Sequence, residues 1–170
     1  MLRIIKIALV LSVALWAILG ARGNIADWKG TVGAVAAVTS MATFPGGAAR
    51  WEATTNPEVI LAGAAFIVLF KAATALLCVT GAWRMWVDRK GDAETFGRAK
   101  TWALSGCAVA VFGLFSGWIV IGEGWFEFWR SDALRTAGDV AFDYGGFIAL
   151  IALMVGARDA EPERHASSKA

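Results

Sequence analysis

Lys71 and Asp143 are ionisable residues that lie inside apolar stretches long enough to cross a membrane. A charge at that depth is costly unless it reaches water or finds a partner. Along a helix, Lys71 precedes Arg84 by about 20 Å, and Asp143 precedes Arg158 by about 22 Å. Because these depths agree, we predict that Lys71 and Asp143 form an intramembrane ion pair.

Three further polar residues complete the predicted layer around this pair. Thr74 and Tyr144 follow the two charged residues closely on their helices, and Glu123 at the end of the third stretch is a competing partner for the lysine. Two other interpretations of Lys71 stay open. Its ammonium group could extend to the headgroup region, or it could serve transport or ligand binding.

The elements that position these residues follow from composition and hydropathy. Of the 170 residues, 58% are apolar and 18% charged, and the mean hydropathy is +0.59. Soluble domains carry roughly 45–50% apolar and about 25% charged residues, so a lipid-facing surface is indicated. We predict an all-α polytopic membrane protein whose four transmembrane helices form an antiparallel bundle, with spans at about 4–21, 59–83, 101–122 and 140–156.

The distribution of Lys and Arg predicts the orientation of the bundle. Ten basic residues flank one face and five flank the other, which predicts cytoplasmic N and C termini by the positive-inside rule. Residues 22–57 are then a long external loop, and 158–170 a disordered cytoplasmic tail. A cleaved signal peptide is the alternative for the start of the chain, but Leu19-Gly20-Ala21 is a poor cleavage site.

Small residues recur along the third span at steps of three and four, on one helical face. Such a stripe allows another helix to approach closely, and its last two members form a GxxxG motif. We expect the neighbouring helix to belong to the same chain. The stripe consists of Ala103, Gly106, Ala110, Gly113 and Gly117.

An aromatic run with interspersed carboxylates follows the third span. It contains Trp125, Glu127 and Trp129, and the long loop contributes Phe44 at a Pro-Gly turn. An amphipathic turn at the membrane interface explains the run without a ligand. The same surface is nevertheless the best candidate for docking a partner protein.

Several classes of function are excluded by what the chain lacks. The single histidine, His165, cannot provide a pair of haem ligands or a catalytic zinc cluster, and Cys78 and Cys107 lie within spans as structural thiols. A net charge of +2 without a basic face argues against nucleic-acid binding. We expect no metal, no cofactor and no enzymatic activity.

Several segments together resemble a known bacterial family, that of predicted small integral membrane proteins of unknown function. They are Ser40 to Gly46, Thr74 to Cys78, Gly81 to Arg84 and Trp125 to Glu127. The likeness covers about residues 1–157 and implies a four-helix protein of the bacterial inner membrane. The chain departs from the family pattern at Ala42 and Lys71, where relatives often carry acidic residues.

Two functions remain in competition at this point. The first is a non-enzymatic accessory or scaffold subunit that packs in the bilayer against a larger membrane complex. Self-association of the chain is a separate possibility for its partners. The second is a small transporter or ion-conducting oligomer that uses the Lys71 and Asp143 pair. A weaker third is an envelope sensor with a ligand-binding external loop.

Overall fold

The protein is a helical bundle, and the computed structural model describes residues 1–159. These residues are helical apart from short connections, and they form no β-strand. In chain order the helices are α1 (Leu2–Ala26), α2 (Trp28–Thr39), α3 (Pro57–Val87), α4 (Ala93–Phe112), a π-helix (Gly113–Trp125) and α5 (Arg135–Gly156).

Four of these elements are long and apolar enough to cross a membrane. They are α1, α3 with its following turn, α4 with the π-helix, and α5, which comprise 25, 34, 33 and 22 residues. A span requires about 20 residues, so all four exceed the necessary length. The predicted fold class and the number of spans are confirmed.

The four long helices form a ring in which each packs against two neighbours. α1 lies between α3 and α5, and α4 lies between the same two helices on the other side. Both ends of the described chain and the connection from α3 to α4 share one end of the bundle, which we call the termini end. The opposite end, the loop end, carries α2 and the segments 40–56 and 126–134.

The stripe of small residues on α4 and the π-helix faces α3 of the same chain. Ala103 and Ala110 are fully buried. A Cβ atom added at Gly106 would lie 2.9 Å from the backbone nitrogen of Cys78, so the two backbones are nearly in contact there. Further along, Gly113 lies against the ring of Phe70, and a Cβ at Gly117 would lie 3.0 Å from Phe66.

The third span is not a regular α-helix throughout. From Gly113 to Trp125 it is a π-helix, and its register persists at the end, where the Phe126 amide donates to the Ile121 carbonyl at 3.0 Å. Hydropathy predicts the length of an apolar helix but not its hydrogen-bonding register. Long π-helical segments are rare, and shorter ones are frequent at functional sites.

The predicted external loop contains a helix of its own. α1 continues to Ala26, and Asp27 caps α2 by accepting a hydrogen bond from the Gly30 amide at 3.0 Å. α2 packs along the first part of α3, where a Cβ at Gly63 would lie 2.9 Å from Val35. The small apolar residues of this segment therefore cover α3.

The predicted disordered tail begins at Arg158, and the structure corrects its first residues. The side chain of Asp159 is only 3% exposed and is bound by lysines of two helices. Charge balance alone favours a solvated tail, but a carboxylate next to two buried ammonium groups is held in place. Residues 160–170 lie outside the described part of the chain.

Candidate functional sites

Lys71 contacts α1 rather than α5. Its ammonium group donates a hydrogen bond of 2.7 Å to Oδ1 of Asn24, whose amide nitrogen in turn donates to the Thr31 hydroxyl at 3.0 Å. The lysine side chain crosses α1 at Gly20, where an added Cβ would lie 3.1 Å from its Cδ. Gly20 therefore provides the space through which Lys71 reaches Asn24.

The predicted ion pair between Lys71 and Asp143 is not formed. Asp143 is exposed, and no salt bridge within residues 1–159 includes it or Lys71. The two residues share a depth, but α3 packs against α1 and α4 while α5 packs on the far side of the ring. Agreement in depth therefore could not identify the partner, since it leaves the direction around the helix axis undetermined.

The other members of the predicted polar layer are dispersed. Thr74 is fully buried, and its hydroxyl hydrogen-bonds to no group in the described region. Tyr144 is exposed and its ring lies 5.7 Å from that of Trp16. Glu123 lies against Gly138 at the start of α5. The structure thus provides no continuous polar layer through these residues.

A buried charge cluster at the termini end was not predicted. Lys6 donates to the Ala157 carbonyl at 2.7 Å and to Asp159 Oδ1 at 3.1 Å. Lys100 donates to the same carbonyl at 2.9 Å and to Asp159 Oδ2 at 2.8 Å. These four hydrogen bonds join α1 and α4 to the residues that directly follow α5.

The electrostatics of this cluster are unusual because both cations are buried. Lys6 is 1% exposed and Lys100 is 5% exposed, and one carboxylate serves both. Burial raises the pKa of Asp159, but the hydrogen bonds from Lys100 and Lys6 outweigh it and hold that pKa below its ordinary value. One feature of the sequence could have indicated this cluster: Lys6 lies within an apolar run. The positive-inside rule uses such a lysine only to predict orientation and does not ask whether it is buried.

Arg3 adds a third cation at this end. Its guanidinium lies 4.7 Å from the centre of the Phe96 ring and donates to the carbonyls of Arg89 and Gly91. The connection between α3 and α4 is thereby tied to the start of α1. These contacts link the first turns of α1 to the α3–α4 connection, to α4 and to the residues that follow α5.

At the loop end, an ion network joins the two segments predicted as a partner face. Arg50 binds both Glu52 at 3.1 Å and Glu127 at 3.0 Å, and Arg130 binds Glu127 at 3.0 Å. Arg130 also lies over the ring of Phe44 at 4.8 Å. Hydrogen bonds from Arg50 lower the pKa of Glu52, so the Glu52 carboxylate is ionised at neutral pH.

A small apolar cluster lies beneath this network. Met41, Phe44 and Phe126 are all buried in it, which brings two of the family-like segments into contact. Glu127 has the left-handed backbone conformation, with φ of 48°, an uncommon conformation for a residue other than glycine. The surroundings hold this residue so that its carboxylate faces both arginines.

Three exposed tryptophans surround the network, and we call this surface the tryptophan face. Trp51 is 79% exposed and packs edge-on against Trp125 with ring centres 5.2 Å apart. Trp125 and Trp129 are themselves about half exposed. Exposed indoles beside ion pairs are typical of protein-binding surfaces, and they also suit a membrane interface.

The described residues contain no candidate metal site. Within residues 1–159, no group of three His, Cys, Asp or Glu side chains is placed to bind a metal ion. Two cavities are present, one between α2, α3, the π-helix and α5, the other between α4 and α5, and both are lined mainly by apolar side chains.

Comparison with known proteins gives one informative match. No curated protein and no solved structure matches the chain. A family model described as predicted small integral membrane protein matches residues 2–158, nearly the whole described chain. Together with the four membrane-spanning candidates, this match shows that the chain belongs to the DUF2165 family of predicted small integral membrane proteins.

Proposed function

We propose that this protein is a non-enzymatic accessory subunit of the bacterial inner membrane, which docks on a larger membrane protein through its tryptophan face. The observation that carries the proposal is the preorganised arrangement of Trp51, Trp125 and Trp129 around the Arg50 and Glu127 ion pair. Side chains that are already ordered lose less entropy on binding, so such a surface favours association.

The transport alternative finds less support. It requires a polar path past Lys71, but the ammonium group of Lys71 is directed to Asn24, and Asp143 lies elsewhere. The two cavities have apolar walls. Apolar cavity walls together with an exposed aromatic face favour the subunit function.

The test is purification of the tagged protein at native expression level in mild detergent, with co-purifying proteins identified by mass spectrometry. We expect a stoichiometric complex with a larger membrane protein. The double variant Trp51→Ala, Trp125→Ala should weaken the complex about 30-fold or more, because truncating a central tryptophan typically costs about 2 kcal/mol or more.

The matched control lies at the termini end. Trp83 and Trp86 are 68% and 45% exposed, so Trp83→Ala, Trp86→Ala removes similar indole surface without touching the tryptophan face. The complex should survive in this control. Recovery of wild type only as a monomer or homo-oligomer, or equal losses in both double variants, would refute the proposal. Flux through proteoliposomes would then be measured for wild type and Lys71→Met.

A further inference from the structure

The cavity at the loop end has a volume of about 360 Å³. We call it the loop-end cavity. It lies between α2, the first part of α3, the π-helix and the start of α5. For comparison, an engineered apolar cavity of about 150 Å³ is large enough to bind benzene. The loop-end cavity can therefore hold a considerably longer apolar group.

The walls of this cavity select for hydrocarbon. No charged residue lines it, and aromatic and aliphatic side chains such as Phe66, Trp118 and Phe126 form most of its surface. Thr39 is the one lining residue with a hydroxyl group, and its side chain already approaches the Ala36 carbonyl at 3.5 Å. Water is poorly held in such a space, because it needs two to four polar partners.

The position of the cavity exposes it to the lipid phase. Its walls include residues 59–67 of α3 and 117–122 of the π-helix, which belong to the apolar stretches predicted as spans. Two lining residues, Val59 and Ile121, are 43% and 50% exposed, so the cavity opens to the surface of the bundle. When these spans lie in a bilayer, lipid chains surround this surface, and they are the apolar groups available to enter the cavity.

Close helix contacts hold the cavity open. α2 packs on α3 at Gly63, and the π-helix packs on α3 at Gly117, where an added Cβ would lie 3.0 Å from Phe66. These contacts leave alanines, including Ala34 and Ala137, on the remaining walls. Because these side chains are small and the helices are held apart, the space stays unfilled. Larger side chains at the same positions would fill it to the usual packing density.

We propose that the loop-end cavity is a specific binding site for one acyl chain of a membrane phospholipid. The chain enters from the bilayer and lies between α2 and the π-helix. The headgroup stays outside, since the cavity walls provide no charged group to bind it. This proposal does not rest on the docking of a partner protein, although Phe126 belongs both to the cavity wall and to the apolar cluster beneath the tryptophan face.

The experiment uses the full chain in mild detergent and a phosphatidylethanolamine that carries a photoreactive diazirine near the end of one acyl chain. Irradiation and peptide mapping should place the label in residues 34–39, 59–67 or 117–122. Labelling should saturate and should be displaced by excess unlabelled phosphatidylethanolamine. Unsaturable labelling spread over exposed leucines such as Leu69, Leu150 and Leu153 would refute the proposal.

Filling the cavity provides the decisive comparison. Ala34→Phe should reduce the saturable labelling about tenfold, which corresponds to roughly 1.4 kcal/mol. Gly33→Phe is the matched control, because Gly33 and Ala34 are adjacent exposed residues of α2, but only Ala34 lines the cavity, and a Cβ added at Gly33 has no atom within 4 Å. Ala137→Phe fills the cavity from α5 and replaces Ala34→Phe if that variant does not fold. Equal labelling in the filled and control variants would overturn the proposal.

The mass of lipid retained by the native protein identifies the source of the chain. Native mass spectrometry should show one bound phospholipid in wild type and little in Ala34→Phe. A retained polyprenyl compound in place of the phospholipid would overturn the assignment to an acyl chain.

Discussion

Replacing Asp159 by Asn should destabilise the bundle strongly, because it removes the carboxylate shared by Lys6 and Lys100. The two ion pairs have lengths of 3.1 and 2.8 Å, and the lysine side chains are 1% and 6% exposed. Asparagine preserves the shape of the side chain but leaves both buried cations without a counter-charge. Removing one partner of a buried ion pair typically costs about 3–5 kcal/mol.

The geometry places the expected loss at the lower end of that range. Both ammonium groups bind the Ala157 carbonyl, at 2.7 and 2.9 Å, and that acceptor remains in the variant. The same geometry places the two nitrogens within about 6 Å of each other, and their mutual repulsion is present in both wild type and variant, so it does not add to the difference. Because the cluster lies at the bundle end, the lysines can relieve part of the strain by reaching outward. We expect a loss of about 3 kcal/mol.

The assay exploits the two buried free cysteines. Cys78 and Cys107 are fully buried, so a thiol-reactive fluorogenic dye reports unfolding in detergent. At roughly 2–4 °C per kcal/mol, the melting temperature of Asp159→Asn should fall by about 6–12 °C. The control is Glu94→Gln, which breaks the exposed pair between Glu94 and Arg98 and should cost less than about 1 kcal/mol. Equal melting temperatures for Asp159→Asn and Glu94→Gln at pH 7 would refute the reasoning.

The pH dependence tests the same cluster independently. The pKa of Asp159 is lowered in the folded protein, so its contribution to stability is complete above the ordinary pKa of about 3.9. That contribution is lost as the pH falls through the lowered value, because the carboxylate is then protonated in the folded state too. The difference in melting temperature between wild type and Asp159→Asn should therefore be constant near neutral pH and shrink in acid. A difference that grows below pH of about 4 would contradict this linkage.

Two further substitutions test the helix packing and the role of Lys71. Gly106→Leu should lower the free energy of unfolding by about 1–3 kcal/mol or more, because its Cβ would lie 2.9 Å from the Cys78 backbone. The control, Gly97→Ala, should be neutral or slightly stabilising, because a Cβ at that position has no atom within 4 Å. Thermal unfolding followed by circular dichroism measures both, and equal melting temperatures would argue against close packing of α3 and α4. Lys71→Met should change stability by less than about 1 kcal/mol, because the lysine makes a single hydrogen bond to the neutral Asn24 and an apolar replacement suits its depth. Failure of Lys71→Met to accumulate in membranes would contradict this prediction and would show that Lys71 contributes more to stability.

The one-dimensional features of the fold were predictable from the sequence. Apolar length and flanking charge identify membrane spans, because the bilayer imposes a minimum helix length and a high cost on buried charge. The spacing of Gly106, Gly113 and Gly117 likewise places them on one helical face, and that face packs on α3. The sequence predicted that Phe44 and Glu127 belong to one surface at the same end of the bundle, but it did not predict that Arg130 contacts both.

The tertiary structure decided which residues meet. Hydropathy gives the depth of Lys71 but not its direction around α3, so the partner is Asn24 on the adjacent α1 rather than Asp143. The π-helical register and the covering position of α2 depend on the packing of neighbouring helices, which local sequence does not report. The cluster of Lys6, Lys100 and Asp159 joins residues more than 50 positions apart. In the sequence these three residues resemble ordinary charges that flank a span. In the folded ring of helices they meet and are buried, and a buried charge requires a partner of opposite sign.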